Sequence, residues 1–107
     1  MSSQAFNQIN DMNKALELTL AMLRLAKEGG WDQLQVMDVE RRQLVEAWVE
    51  QDNPADDHRQ ATEIMSEMIS LNKQIQQLAI AAKQQLMDDF KGLRRKRAGA
   101  EAYSKCP

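Results

Sequence analysis

From Ala61 to Leu93 the apolar residues recur at three- and four-residue steps, through Ile64, Met68, Leu71, Ile75, Leu78, Ala82, Leu86 and Phe90. A strand returns to the same face every second residue and a helix about every 3.6, so this spacing admits one amphipathic helix and excludes a sheet over the stretch. Asn53-Pro54 marks its start and the basic cluster Lys91-Gly92-Leu93-Arg94-Arg95-Lys96-Arg97 its end. A helix over 54–97 would run ~65 Å at 1.5 Å per residue, whereas two shorter helical segments upstream read as ~39 Å and ~30 Å. The chain must therefore build its core around one long helix that overhangs its partners and ends in positive charge.

The first helix is expected over 3–28, with Ser2 or Ser3 as cap and an apolar face of Phe6, Ile9, Met12, Leu16, Leu20 and Leu23. A neighbouring stripe of Ala15, Leu18, Met22 and Leu25 widens the buried sector, as suits a helix touching two partners. Gly29-Gly30 ends it, because glycine takes the left-handed conformation without a Cβ penalty. The second helix is expected over 32–51, with Asp32 as N-cap, Gln35 closing a capping box and Trp31 stapled on Val36. Leu34, Met37, Val45, Trp48 and Val49, with Leu44 at the flank, form its stripe, which Arg41 interrupts. Arg41 and Arg42 follow Glu40 and precede Glu46, which offers pairs of a few tenths of a kcal/mol each. In the third helix Asn53 should cap, Pro54 should open the first turn, and Asp56 and Asp57 face the positive end of the dipole. Both connections are short, so successive helices are antiparallel neighbours. The fold expected is an all-α, up-down-up antiparallel helical bundle forming one domain over 1–97. Gly92 weakens the long helix, Gly99 limits it, and 98–107 is a short C-terminal turn or a flexible or regulatory tail.

Composition agrees: four glycines and two prolines punctuate 107 residues that are poor in aromatic and β-branched types. The net charge of −2 attracts neither nucleic acid nor an anionic membrane globally, but six basic residues against one acidic residue lie between Lys91 and Lys105. One cysteine, Cys106, makes no internal disulfide, which fits a reducing compartment. The start, Met1-Ser2-Ser3-Gln4, lacks a signal-peptide layout, and the apolar run Ala15 to Ala26 is too short and too charged to span a bilayer. A cytoplasmic protein with no membrane insertion is expected.

No residue set satisfies the needs of catalysis. The lone histidine, His58, sits in an exposed first turn, and the pairs Asp56-Asp57 and Asp88-Asp89 point apart on a helix, so an enzyme is not expected. Neither His58 nor Cys106 belongs to a metal-ligand spacing, and no metal or other cofactor is expected. The methionines are more informative, since Met suits core gaps and also surfaces that accept varied apolar partners. Met65, Ile69, Ile80 and Met87 lie beside the main seam of the long helix, and in a bundle of three such a stripe calls for another subunit, as in a homodimer, the chain's own tail, or a client. Arg94-Arg95-Lys96-Arg97 lacks interleaved aromatics for stacking on single strands and follows rather than precedes the heptads, unlike a basic zipper. A protein partner or a solvated helix end is favoured over nucleic acid.

The segment Leu23-Arg24-Leu25-Ala26-Lys27-Glu28-Gly29-Gly30-Trp31-Asp32-Gln33-Leu34, followed by Glu40-Arg41-Arg42-Gln43-Leu44, resembles the first hairpin of FliT-type flagellar export chaperones. There a Leu-Ala-x-x-Gly-x-Trp-Asp-x-Leu turn joins the helices, and Ala102-Tyr103 is similar to an alanine-tyrosine pair in the family's tail. The resemblance implies a cytoplasmic chaperone of type III export that binds the filament-cap protein, prevents premature assembly and delivers it to the export apparatus. It also implies contacts with export ATPase components and, in some bacteria, with the flagellar master regulator. Together with the surplus stripe it makes Met65, Ile69, Ile80, Met87, Phe90 and Leu93 the expected client surface. Arg94, Arg95, Lys96, Arg97 and Tyr103 then belong to a regulatory tail that competes for that surface. The alternatives are a chaperone for hook-filament junction proteins and a structural or nucleic-acid-associated helical adaptor using the basic segment.

Overall fold

The computed structural model describes the backbone of residues 2–105 and the side chains of residues 9–97. Three helices account for it: α1 (Ser2–Glu28), α2 (Trp31–Glu50) and α3 (Ala55–Lys105). The chain divides into two compact units, Met1–Gln76 and Gln77–Pro107, so the first holds α1, α2 and the opening of α3 and the second holds the remainder of α3.

In the first unit the side chains fix the direction of each helix. Met12 and Ala15 of α1 share a core cluster with Trp48 near the end of α2 and with Ala61 and Met68 of α3. Further along, Thr19 of α1 meets Arg41 of α2, and Arg41 reaches Asn72 of α3. Residue numbers rise along α1 and α3 while they fall along α2, which is the expected up-down-up arrangement. Burial of Met12, Met22, Trp48, Met68 and Ile75 supplies its driving force, at about 1.5–3 kcal/mol for each large side chain removed from water.

The buried line of α1 differs from the expected one. Met12, Ala15, Thr19, Met22 and Ala26 are buried and follow one face, with Leu23 beside them. Leu20 is 47% exposed, and Phe6 lies outside the residues whose side chains are described. Ala15, Thr19 and Ala26 on this line are small, and Met12 and Met22, whose unbranched chains fit irregular gaps, fill the space between them. Thr19 enters the core at no polar cost, since its hydroxyl donates to the Ala15 carbonyl at 2.8 Å and accepts from Arg41 at 3.3 Å.

Both connections are built by hydrogen bonds to helix ends. Gly29 has φ +81°, and Gly30 N–H donates to the Leu25 carbonyl at 2.8 Å, closing α1 by the six-residue return of a Schellman turn. A Cβ on Gly30 would stand 2.9 Å from Leu25 Cδ2, so that position too is kept small. This turn makes Gly30 the cap of α2: its carbonyl accepts from Leu34 N–H at 3.0 Å and no side chain caps the helix. The expected capping box from Asp32 is therefore absent. Asp32 lies within the first turn, where its charge suits the dipole, and Val36, 70% exposed, offers no staple. Gly29→Ala is expected to cost about 1–2 kcal/mol, the penalty of a left-handed non-glycine residue, read as a lower denaturation midpoint with unchanged slope.

Asn53 also acts otherwise than expected. Its amide donates to the carbonyls of Trp48 at 2.7 Å and Gln51 at 3.0 Å, so it closes the end of α2, whereas the Pro54 carbonyl receives the first bond of α3 from His58 N–H at 3.1 Å. α2 ends at Glu50, and α3 begins at Ala55. The helix α3 does not stop at Arg97 but continues through Gly92 and Gly99 to Lys105. One glycine costs a helix only about 1 kcal/mol relative to alanine, and Ala98, Ala100, Glu101 and Ala102 favour its continuation.

Candidate functional site

A groove of about 370 Å³ opens between α2 and α3 within the first unit. Val45 comes from α2, and Met65, Met68 and Ile69 come from consecutive turns of α3, so helical spacing alone assembles an apolar floor. Of the four, Met68 is buried and belongs to the core, while Ile69 is exposed and Met65 half-buried. Two of the predicted client-binding residues, Met65 and Ile69, thus stand together on a concave surface.

One edge of the groove is polar and was missed by hydrophobic patterning. Arg41, which reads in the sequence as an interruption of the α2 stripe, is only 16% exposed and lines the groove with Asn72, Lys73 and Gln76. Its Nη1 donates to Thr19 Oγ1 and Asn72 Oδ1, each at 3.3 Å, and its Nη2 pairs with Asp38 Oδ1 at 2.6 Å. Arg42 holds the other oxygen of the same carboxylate at 2.9 Å. The ion pairs formed run to Asp38, at three- and four-residue spacing, and not to Glu46 as the sequence suggested. The available signal was Asp38 itself, one turn before two arginines, together with a threonine inside the α1 stripe.

Within the second unit the remaining predicted client-binding residues, Ile80, Met87, Phe90 and Leu93, are open to solvent. Ile80 is 70% exposed and Met87 48%, and Phe90 and Leu93 are similarly uncovered, as is Leu86. Phe90 and Leu93 share a hollow of about 560 Å³ with Arg94, Lys96 and Arg97, while Arg95 does not line it. Apolar surface and positive charge therefore meet on consecutive turns of α3. Tyr103 and Cys106 lie outside the residues whose side chains are described.

Nothing in these surfaces resembles a reaction centre. His58 is exposed, its ring stands edge-on to Trp48 at 5.4 Å, and its Nε2 donates to the Asn53 carbonyl at 3.1 Å. Among the described residues no group of three or more histidine, cysteine or carboxylate side chains could hold a metal ion, and no helix is long and apolar enough to cross a membrane. What the arrangement can do is accept apolar side chains from another polypeptide.

The sequence model of the family described as Flagellar protein FliT matches residues 9–105. The chain belongs to the FliT family. The match takes in the Gly29–Asp32 turn, both sides of the α2–α3 groove and the exposed part of α3. FliT membership implies a flagellar export chaperone, in keeping with surfaces suited to binding a protein. No curated protein and no solved structure matches the chain.

Proposed function

We propose that this chain is a cytoplasmic chaperone of flagellar type III export that binds the filament-cap protein, keeps it from assembling early and delivers it to the export apparatus. The family match supplies the flagellar setting. The observation that carries the binding role is the run of uncovered apolar side chains on α3, Ile69 in the first unit and Ile80, Met87, Phe90 and Leu93 in the second. An amphipathic client helix binds by laying residues at three- and four-residue spacing into such surfaces. Export ATPase components and, in some bacteria, the flagellar master regulator are further partners that fit the family. A homodimer through the α3 stripe and a hook-filament junction client are alternative occupants. The reading is tested by mixing the purified chain with the filament-cap protein and following co-elution. A soluble complex is expected, and failure to form one while a junction protein is bound would replace the proposed client.

Regulation is assigned to the end of the chain. Residues 98–107, with Arg94 to Arg97 and Tyr103, would compete with the client for the apolar face of α3, which requires the last turns of that helix to open at Gly99 and fold back. Removal of 98–107 is then expected to tighten binding of the filament-cap protein by about fivefold, the lower range of a typical coupling between sites. Titration of truncated and full chains checks this, and unchanged or weaker binding after truncation ends the competition idea.

A further inference from the structure

The α2–α3 groove has a charge pattern that apolar docking does not use. None of its lining residues is acidic, while Arg41 and Lys73 are both cationic. Asp38 cannot balance them, because its two oxygens are divided between Arg41 and Arg42, so one carboxylate serves two guanidinium groups. Nor does α3 provide a counter-charge nearby: from Met68 to Met87 it contains Lys73 and Lys83 but no aspartate or glutamate. An excess of positive charge thus borders an apolar floor in a chain whose net charge is −2.

That excess has a consequence for any helix that covers the groove. Seating apolar residues on Val45, Met65 and Ile69 removes water from the Lys73 ammonium and from the exposed part of Arg41. A cation left without water or a partner disfavours the complex, whereas a carboxylate on the incoming helix restores a charge-assisted bond. Arg41 is held in place by Thr19, Asn72 and Asp38, so it presents a fixed donor rather than a free arm. Lys73 is exposed and can turn toward the occupant.

We infer that the groove selects a client helix carrying an aspartate or glutamate within its apolar stripe, received by Lys73 and supported by Arg41. The inference rests on the client-binding reading above and names the chemistry of the client at that site. Lys73 is a specificity-determining residue here: it discriminates among apolar helices by penalising those that bring no carboxylate.

The test uses the full chain and the filament-cap protein, with affinity measured by titration at low and at high salt. Lys73→Glu is expected to weaken binding at least about tenfold at low salt, through loss of the pair and like-charge repulsion. Lys73→Gln should lie between it and the parent, and the differences should shrink as salt rises. Single aspartate- or glutamate-to-lysine changes across the client's helical segments should include one that restores binding to the Lys73→Glu chain. If Lys73→Glu binds like the parent while a Met65→Gln/Ile69→Gln chain does not, the groove holds the client without a carboxylate and the inference is wrong. If Lys73→Glu weakens binding but no client reversal restores it, the charge acts by general steering, which also overturns it. Should neither chain differ from the parent, the client docks outside this groove and the inference is wrong although client binding stands; should the parent bind no cap protein, the client-binding reading itself fails and takes the inference with it.

Discussion

Trp48→Ala should remove about 3–5 kcal/mol of stability, the usual cost of deleting a large aromatic side chain from a core. Trp48 is buried at the meeting of all three helices, beside Met12, Ala15, Ala61 and Met68, and its ring faces His58 edge-on at 5.4 Å. A domain of this size holds only about 5–15 kcal/mol in total, so the variant should melt far below the parent in a thermal or urea scan. Trp48→Phe should cost much less, because the indole Nε1 is buried without a hydrogen-bond partner among the described residues. Its removal offsets part of the lost contact. Phe90→Ala provides the contrast: its ring is solvent-exposed, and the change should stay within about 0.5 kcal/mol. A Trp48→Ala chain as stable as the parent would mean that the three helices are not held by this cluster.

Loss of client binding without loss of fold is the expected result for Met65→Gln combined with Ile69→Gln. Both side chains line the α2–α3 groove; Ile69 is exposed, and Met65, which rests partly on the core, is only half-buried, so both leave apolar surface open to an occupant. Failing to bury two such side chains forfeits about 3 kcal/mol or more, which corresponds to roughly a hundredfold weaker complex. Circular dichroism should show the helix content unchanged, and titration with the filament-cap protein should show the loss. An unaffected affinity would move the docking surface to the exposed residues of the second unit, where Phe90 and Leu93 stand beside Arg94, Lys96 and Arg97.

The seam of α3 was legible because burial there follows the helical period. Ala61, Met68 and Ile75 are buried and Ile64 and Leu71 half-buried, while Leu86, Phe90 and Leu93 on the same repeat are exposed. Periodicity alone gives the face and not the residue at which its cover ends. Thr19 and Arg41 were hidden for a different reason. Hydrophobic patterning reads a polar residue in a stripe as an interruption, whereas here the two satisfy each other and join three helices. The loops show the limits of local signals. Asn53 before Pro54 is a sound helix-start signal, yet its amide reaches back to close α2, because the carbonyls of Trp48 and Gln51 lie within its reach. Of the candidate site, the apolar half was visible in the sequence. The cationic edge required knowing which face of α2 meets α3.

The contact of Arg41 with Thr19 and Asn72 also removes an ambiguity that the third helix would otherwise carry. A seam that repeats every seven residues fits its neighbours nearly as well after sliding by one repeat, since Ile64, Leu71 and Leu78 are interchangeable as hydrophobes. Sliding would place Met65 or Ala79 where Asn72 stands, and neither side chain offers Arg41 an oxygen. A single half-buried guanidinium thereby favours one alignment of a repetitive helix, as isolated polar residues do in coiled coils.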